Sequence, residues 1–298
     1  MEKFYIVEVG STTSKAYLYD NGEVLNEGLV SIEFKKNYKI NNSILETDKQ
    51  KLFDYVNELK KKVSNVFVYG TSIFRSLSLD EQEEWIDQFL DITECSFEIV
   101  SADEENEYTV YGAVSDIDYN GKITVMIGGG GSTELAIVEN KEIVKKYNYS
   151  FGAQDITDKY PDLSEDKVST DFDLMLSETT KYIDSLNDSS DYLVLAGGDY
   201  LSFYQKTGFP MNDNTIYSDS KQPYMIDNVS MEEFDRKYFY EMSLNDIIEK
   251  HGEGAWWKNT RGMRICVTSI VHKLQVKQII PTRIGMVYGI INKLIGKQ

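Results

Sequence analysis

The sequence predicts an α/β protein built from two similar halves, and three observations support this prediction. A pattern of strand, turn, strand, turn and strand occurs over 4–34 and again over 123–149, about 120 residues later. Buried-type strands alternate with segments of helical periodicity after each occurrence. The chain has four prolines and no segment with the composition of a flexible linker. We therefore expect an N-terminal domain over 1–117 and a C-terminal domain over 118–298, joined by an ordered hinge.

The first half opens with an antiparallel meander. Apolar alternation predicts strands over 4–9, 15–19 and 23–34, and the Asn-Gly pair at 21–22 is typical of a tight hairpin turn. Apolar residues at helical spacing predict a helix over 48–62. The elements predicted after it are a strand over 63–69, a helix over 79–90, a strand over 97–100 and a helix over 104–114.

The second half repeats the meander with strands over 123–127, 134–138 and 143–149. The elements predicted after it are a helix over 164–187, a strand over 192–196, a helix over 264–276, a strand over 278–280 and a final helix over 284–295. Whether the final helix packs back on the first domain is left open.

The composition argues against several classes of function. A formal net charge of −18 argues against nonspecific binding to nucleic acid and to anionic membranes. No segment approaches the roughly 20 apolar residues that a membrane helix needs. Cys95 and Cys266 lie far apart without metal-binding spacing around them, so we expect two free thiols in a reducing cytoplasm.

The most informative motif follows the strand over 123–127. Glycines allow the backbone to approach an anion closely and to point several N–H groups at it. Two hydroxyls add donors, and a carboxylate there would hold a cation or a water beside phosphate oxygens. The motif comprises Gly128, Gly129, Gly130, Gly131, Ser132, Thr133 and Glu134.

A weaker copy of this motif opens the chain. Gly10, Ser11 and Thr12 follow the first strand, and Glu8 lies two residues before the glycine. Glu8 is either a carboxylate that organises a cation or an exposed strand residue. Two strand-to-glycine turns, one in each half, suggest phosphate-binding hairpins that face each other across an interdomain cleft.

Two further side chains are candidates for phosphate chemistry. Arg75 follows a buried strand, where its guanidinium would bind a phosphate in a bidentate manner or simply begin a surface helix. Glu105 lies at the predicted start of a helix, where it would deprotonate a water or only favour the positive end of the helix dipole.

Together these residues resemble the exopolyphosphatase/guanosine pentaphosphate phosphohydrolase (Ppx/GppA) family, in a short two-domain form. The resemblance covers nearly the whole chain. Its motifs are Gly10-Ser11-Thr12, the "TSxxR" element ending at Arg75, the "ISGxEEA" segment ending in Glu105 and Asn106, the "GGGSTEL" of Gly129 to Leu135, and Gly197-Gly198. The family belongs to the sugar-kinase/Hsp70/actin superfamily, so the resemblance implies two ribonuclease H-like domains with a cleft between them.

The resemblance also implies a function. A terminal orthophosphate would be released from polyphosphate or guanosine pentaphosphate, with Mg²⁺, or Mn²⁺ as the alternative, as cofactor. Glu105 would be the base, Arg75 and Glu134 would act with it, and Glu8 and Glu134 would hold the metal. The implied phosphate-binding residues are Gly10, Ser11, Thr12, Gly129, Gly130, Gly131, Ser132, Thr133, Gly197 and Gly198. A homodimer is an expectation taken from the family.

One departure from the family pattern keeps two alternatives open. The aspartate that precedes the family's glycines falls on Ile127, and the aspartate of the first loop is Glu8. A regulator that binds polyphosphate or an alarmone with little or no turnover is therefore the first alternative. The second is an ATPase of the same superfamily, because the segment 9–15 also resembles loops of activator-type ATPases.

Overall fold

A computed structural model of the chain describes residues 3–217, 222–252 and 256–296. Contacts divide the chain into two compact units: unit 1 consists of Met1–Tyr108 with Gly289–Gln298, and unit 2 is Thr109–Tyr288. Each unit is described by itself, and the domain boundary at 117/118 stays a prediction. Within the described ranges, none of the helices is long and apolar enough to cross a membrane.

Unit 1 contains a mixed sheet with helices. The strands lie in the order β3-β2-β1-β4-β5, with β2 and β3 antiparallel and β4 and β5 parallel to their neighbours. In chain order the elements are β1 (Lys3–Val9), β2 (Thr13–Asp20), β3 (Glu23–Ser31), α1 (Phe34–Asn41), α2 (Glu46–Lys62), β4 (Val66–Gly70), a 3-10 helix (Ser72–Ser76), α3 (Leu79–Thr93), β5 (Phe97–Ile99) and α4 (Ala102–Val114), whose second half belongs to unit 2.

The core of unit 1 is rich in aromatic side chains. Trp85 on α3 stacks on Phe53 of α2 and meets Phe97 of β5 edge to face, and Phe74 lies beside it. Burial of such large rings is the main favourable contribution to folding. This cluster anchors the 3-10 helix, which carries Phe74 on its buried side and Arg75 as the next residue.

Unit 2 has a larger sheet in the order β10-β11-β12-β9-β6-β7-β8. Its strands are β6 (Lys122–Gly128), β7 (Thr133–Glu139), β8 (Glu142–Tyr149), β9 (Tyr192–Ala196), β10 (Asn212–Asp213), β11 (Tyr224–Asp227) and β12 (Gln278–Pro281). Its helices are α5 (Ala153–Lys159), α6 (Phe172–Thr180), α7 (Tyr200–Thr207), α8 (Asn228–Asp235), α9 (Leu244–His251) and α10 (Trp256–Leu274), and α11 (Met286–Leu294) runs on into unit 1.

The two sheets share one topology. The order β8-β7-β6-β9-β12 in unit 2 corresponds strand for strand to β3-β2-β1-β4-β5 in unit 1, with the same parallel and antiparallel pairs. The repeat predicted from the two meanders is therefore present in three dimensions. The predicted α/β class is confirmed.

Three predicted elements are wrong in extent. The helix predicted over 264–276 is α10, which begins earlier, at Trp256, and ends at Leu274. The third strand ends at Ser31, because Phe34 turns into the core and begins α1. The predicted helix over 164–187 is reduced to α6 and short 3-10 turns. The Asp162 carboxylate accepts hydrogen bonds from the N–H groups of Ser169 and Thr170, at 2.8 and 2.7 Å, and so folds the intervening chain into a loop.

Arg261 on α10 holds irregular segments of unit 2 together. Its side chain is completely buried and donates to five backbone carbonyls. The acceptors are the carbonyls of Leu163, Glu165, Asp166, Phe239 and Met242. Because buried carbonyls without a donor are costly, a single guanidinium satisfies groups that the loop around 165 and the turn near 240 would otherwise leave unpaired.

Replacing Arg261 with alanine should therefore destabilise the protein strongly. We expect Arg261→Ala to lower the free energy of unfolding by ~3 kcal/mol or more, since several buried acceptors lose their donor at once. The matched control is Arg283→Ala, which removes an exposed guanidinium paired with Asp199 and should cost no more than about 1 kcal/mol. Urea unfolding measures both variants. Equal losses would show that the carbonyl contacts of Arg261 contribute little.

Candidate active site

The first glycine turn connects β1 to β2. The Gly10 N–H donates to the Thr13 carbonyl at 2.9 Å and closes the turn. The Ser11 and Thr12 carbonyls accept hydrogen bonds from the N–H groups of Lys35 and Ile32, at 3.0 and 3.1 Å. Within the described residues, the N–H groups of Ser11 and Thr12 donate to no protein acceptor. The carbonyls of the loop are thus hydrogen-bonded to the protein, and the N–H groups of Ser11 and Thr12 are available to a ligand.

The second turn connects β6 to β7 in the same way. The Gly129 N–H donates to the Ser132 carbonyl at 2.9 Å. The first N–H groups of α5, from Ala153 and Gln154, donate to the carbonyls of Gly129 and Gly130, at 3.0 and 2.7 Å. In the described part of the chain, no protein group accepts from the N–H groups of Gly130, Gly131 and Ser132. Consecutive N–H groups of this kind form an anion-binding concavity.

The registers of the two hairpins align their side chains position by position. Glu8 lies opposite Lys15 across the first hairpin, one pair before the turn-closing pair of Val9 and Ser14. Ile127 lies opposite Glu134 at the same step of the second hairpin. Ile127 in the second hairpin is thus equivalent in register to Glu8 in the first, and Glu134 is equivalent to Lys15. The carboxylate is on the outgoing strand in unit 1 and on the return strand in unit 2.

Glu8 lies among charged groups in unit 1. Directly opposed residues of antiparallel strands share a face, so the Lys15 side chain lies beside the Glu8 carboxylate. Burial raises the pKa of Glu8, the Glu105 charge raises it further, and Lys15 opposes both. Lys15 is a member of this site that the sequence analysis missed. Its spacing from the first glycine turn could have indicated it, because that spacing places Lys15 opposite Glu8 on the same face of the hairpin.

Arg75 and Glu105 form an ion pair. Arg75 Nη1 donates to Glu105 Oε2 at 2.6 Å and to the Val100 carbonyl at 3.0 Å. The two side chains are 28% and 34% exposed, so an incoming solute can reach both. Both residues were predicted from the sequence to belong to the site, but their contact with each other was not.

The two glutamates that begin α4 have different surroundings. The Glu104 carboxylate accepts from the N–H and the hydroxyl of Ser101, at 2.9 and 2.7 Å, and the Ser101 hydroxyl accepts from the Glu104 N–H. This is a capping box. Glu104 is therefore the glutamate that stabilises the N-terminus of α4. Glu105, one residue further, is directed to Arg75.

Ser72 links the first turn to the 3-10 helix that carries Arg75. The Ser11 hydroxyl donates to the Ser72 hydroxyl at 2.8 Å. Ser72 has a φ of +48°, a left-handed conformation that is uncommon outside glycine and asparagine. Such conformations are concentrated at functional sites, where the surrounding structure maintains them. Sequence periodicity gives no signal for this link, because it depends on a backbone angle.

Ile127 packs against the late glycine turn of unit 2. Gly197 has a φ of +78°, and a Cβ atom at this position would lie 2.8 Å from Ile127 Cγ2. Glycine is therefore required there both by its backbone angle and by the close contact. The position where the family pattern has a carboxylate is filled in this chain by an apolar side chain.

The other predicted phosphate-binding residues of unit 2 differ in their accessibility. Thr133 is buried, and its hydroxyl donates to the Phe151 carbonyl at 2.9 Å, so this group supports the loop. The Gly197 N–H donates to the Ile284 carbonyl. The free N–H groups at the tip, on Gly130, Gly131 and Ser132, are the donors that remain. The roles of all these residues in phosphate binding stay predictions.

No cluster of three or more His, Cys, Asp or Glu side chains suited to a metal ion occurs among the described residues. Magnesium in phosphoryl-transfer sites is commonly bound by one or two carboxylates together with substrate phosphates and water. The roles of Glu8 and Glu134 as metal ligands stay predictions.

The sequence matches a known protein family. A model of the Ppx/GppA phosphatase family matches residues 25–195, which is more than half of the chain. The chain belongs to this family. The matched range contains Arg75, Glu105 and the second glycine turn. No curated protein matches the chain at a significant level.

Solved structures show the same fold over the whole length. The chain is similar to the type II variant of the Aquifex aeolicus Ppx/GppA phosphatase, with a TM-score of 0.78 at 13% identity, over 98% of this chain and 99% of that chain. It is also similar to an exopolyphosphatase from Cytophaga hutchinsonii, with a TM-score of 0.65 at 16% identity, over 99% and 98% of the two chains. At identities this low, the structural likeness shows a shared fold.

The different surroundings of Glu104 and Glu105 lead to a stability prediction. Hydrogen bonds from Ser101 hold the pKa of Glu104 below its usual range. A lowered folded-state pKa means that the charged capping box stabilises the protein above the ordinary glutamate pKa and loses this effect as the pH falls. Glutamine can still accept hydrogen bonds from Ser101 but has no charge, so Glu104→Gln should lower the free energy of unfolding by about 0.5 kcal/mol at neutral pH, and by less at pH 3.

Glu105→Gln is the matched control for that measurement, because it alters a half-exposed ion pair and not the helix cap. Urea unfolding of both variants at the two pH values tests the assignment. A Glu104→Gln loss that stays the same on acidification contradicts it.

Proposed function

We propose that this chain hydrolyses a terminal phosphoanhydride and releases orthophosphate from polyphosphate or guanosine pentaphosphate. Membership of a phosphatase family supports this reaction class. The observation that carries the proposal is the pair of glycine turns, whose carbonyls are bonded to the protein while consecutive N–H groups at their tips are not. Donors fixed in advance at the place where charge develops are the main catalytic contribution in phosphoryl transfer.

In this proposal Arg75 and Glu105 exchange partners when the substrate binds. A phosphoryl oxygen takes the place of the Glu105 carboxylate on the Arg75 guanidinium, which suits a bidentate anion. The Val100 carbonyl keeps Arg75 in position during the exchange. Glu105, released beside the phosphoryl group, orients the attacking water and accepts its proton.

We propose Glu8 and Glu134 as the carboxylates for Mg²⁺, which would neutralise charge on the phosphate oxygens. The electrostatic surroundings of Glu8 support its part. Lys15 offsets the cost of burying the Glu8 carboxylate, and together the pair keeps a charged group next to the first glycine turn.

Ile127 favours a second candidate function. An apolar side chain at this position removes a carboxylate that the family pattern places before its glycines. A chain that keeps the N–H donors but lacks one carboxylate would bind phosphoanhydrides and turn them over slowly or not at all. Such a protein would act as a sensor of polyphosphate or of an alarmone.

Glu105→Gln tests the catalytic assignment. We expect a loss of about 10²–10⁴-fold in the rate of orthophosphate release, the usual contribution of a general base, with substrate affinity retained. The matched control is Glu104→Gln, whose carboxylate belongs to the capping box and whose rate should stay within a few-fold of wild type below its unfolding temperature. If the two variants release phosphate at the same rate, Glu105 is not the base.

Ile127→Asp tests the meaning of the missing carboxylate. If its absence limits turnover, Ile127→Asp should raise the Mg²⁺-dependent rate by ~10-fold or more, since one well-placed charge is worth more than 1.4 kcal/mol in the transition state. Ile127→Asn is the control of equal size without charge and should give no gain. An unchanged rate in both variants would show that the site does not require a carboxylate at this position.

A further inference from the structure

The second glycine turn rests on the start of α5. The first N–H groups of this helix, from Ala153 and Gln154, donate to the carbonyls of Gly129 and Gly130 at 3.0 and 2.7 Å. The first N–H groups of a helix have no acceptor within the helix itself. The turn therefore supplies the acceptors that α5 needs, and a displacement of α5 would carry the turn with it.

Gly152, the residue before α5, lies directly against the turn. A Cβ atom at this position would overlap the Gly129 carbonyl oxygen and would lie 2.7 Å from the Gly130 carbonyl oxygen. The Gly152 backbone is extended, a conformation that other residues adopt as well. The backbone angles therefore do not require glycine here. The close approach of two backbone segments requires it.

Gly262 on α10 makes a second close contact with α5. A Cβ atom at this position would overlap the Ala153 carbonyl oxygen and would lie 2.7 Å from Thr157 Oγ1. The Thr157 hydroxyl donates to that same carbonyl at 2.8 Å, so both groups are held in place. Alanine is the more favourable residue in the interior of a helix. Gly262 thus lowers the intrinsic stability of α10 and allows this helix to approach α5 closely.

The neighbours of Gly262 on α10 contact the same region. Arg261 anchors α10 through its hydrogen bonds to five backbone carbonyls. The Met263 sulfur would lie 3.1 Å from a Cβ atom on Gly128, at the start of the turn. Three consecutive residues of α10 therefore contact the irregular segments, α5 and the turn, so α5 and the turn are positioned by the same helix.

We propose that Gly152 and Gly262 are positioning residues for the second glycine turn. Together they set how far the turn stands from α10, and so where the N–H groups of Gly130, Gly131 and Ser132 point. This role rests on the proposed function, in which these N–H groups bind the phosphoryl group. Donors stabilise developing charge only when they are fixed at the right place, and a misplacement of about 1 Å can lower a rate by about 10²-fold.

Gly262→Ala in the full-length protein tests this role. In proton–nitrogen NMR spectra of protein with isotope-labelled glycine, the amide signals of Gly130 and Gly131 should shift, because the added methyl group displaces α5 and the turn. The kcat for orthophosphate release from polyphosphate should fall ~10-fold, since misplaced donors stabilise the transition state less. Gly285→Ala is the matched control. A Cβ atom there meets no atom within 4 Å, so both readouts should keep their wild-type values.

Gly152→Ala places a methyl group directly against the turn, so it should shift the same two amide signals and lower kcat at least as much. If one variant fails to fold, the other decides. Unchanged amide signals in the folded variants overturn the proposal, and so does a wild-type kcat where the signals shift. Loss of folding in both variants also overturns it, because the glycines then serve stability alone. Shifted signals in a protein whose wild type releases no orthophosphate support the positioning role and contradict the proposed function instead.

Discussion

The hydrogen bond that closes each glycine turn, from Gly10 to Thr13 and from Gly129 to Ser132, is the constraint on which the geometry of both turns depends. A turn closed in this way fixes the register of the two strands that it joins, and a shift by one residue would move every side chain to the opposite face of the sheet. The same bond turns the remaining N–H groups of the loop away from the sheet ladder. One backbone contact therefore sets both the anion donors and the faces of the neighbouring charged residues.

The register explains how the duplicated hairpin became different in its two copies. Glu8 and Ile127 hold equivalent positions, as do Lys15 and Glu134. Unit 1 has a glutamate and a lysine opposite each other on this face, whereas unit 2 has an isoleucine and a glutamate. The apolar residue packs on Gly197, beside the ends of the central strands β6 and β9. The two hairpins share the backbone hydrogen bond that closes the turn and differ in the side chains on this face.

Local features of the sequence predicted much of this arrangement. Glycine runs after alternating strands located both turns, and the family resemblance selected Arg75 and Glu105. Local sequence features did not predict the tertiary contacts. The loop around Asp162, which replaces most of a predicted helix, depends on hydrogen bonds that the N–H groups of Ser169 and Thr170 donate to the Asp162 carboxylate. The partner of Arg75 and the left-handed Ser72 depend on packing and backbone angles that periodicity does not encode.

The central claim is that fixed N–H donors and the Arg75–Glu105 pair perform hydrolysis and do not merely bind phosphate. Phosphorus NMR of the wild-type protein with polyphosphate, guanosine pentaphosphate and ATP, each with and without Mg²⁺, tests it most directly. The account predicts an orthophosphate signal that grows with time from polyphosphate or guanosine pentaphosphate in the presence of Mg²⁺, as chains shorten from the end. Line broadening that shows binding, without any orthophosphate signal, would contradict it.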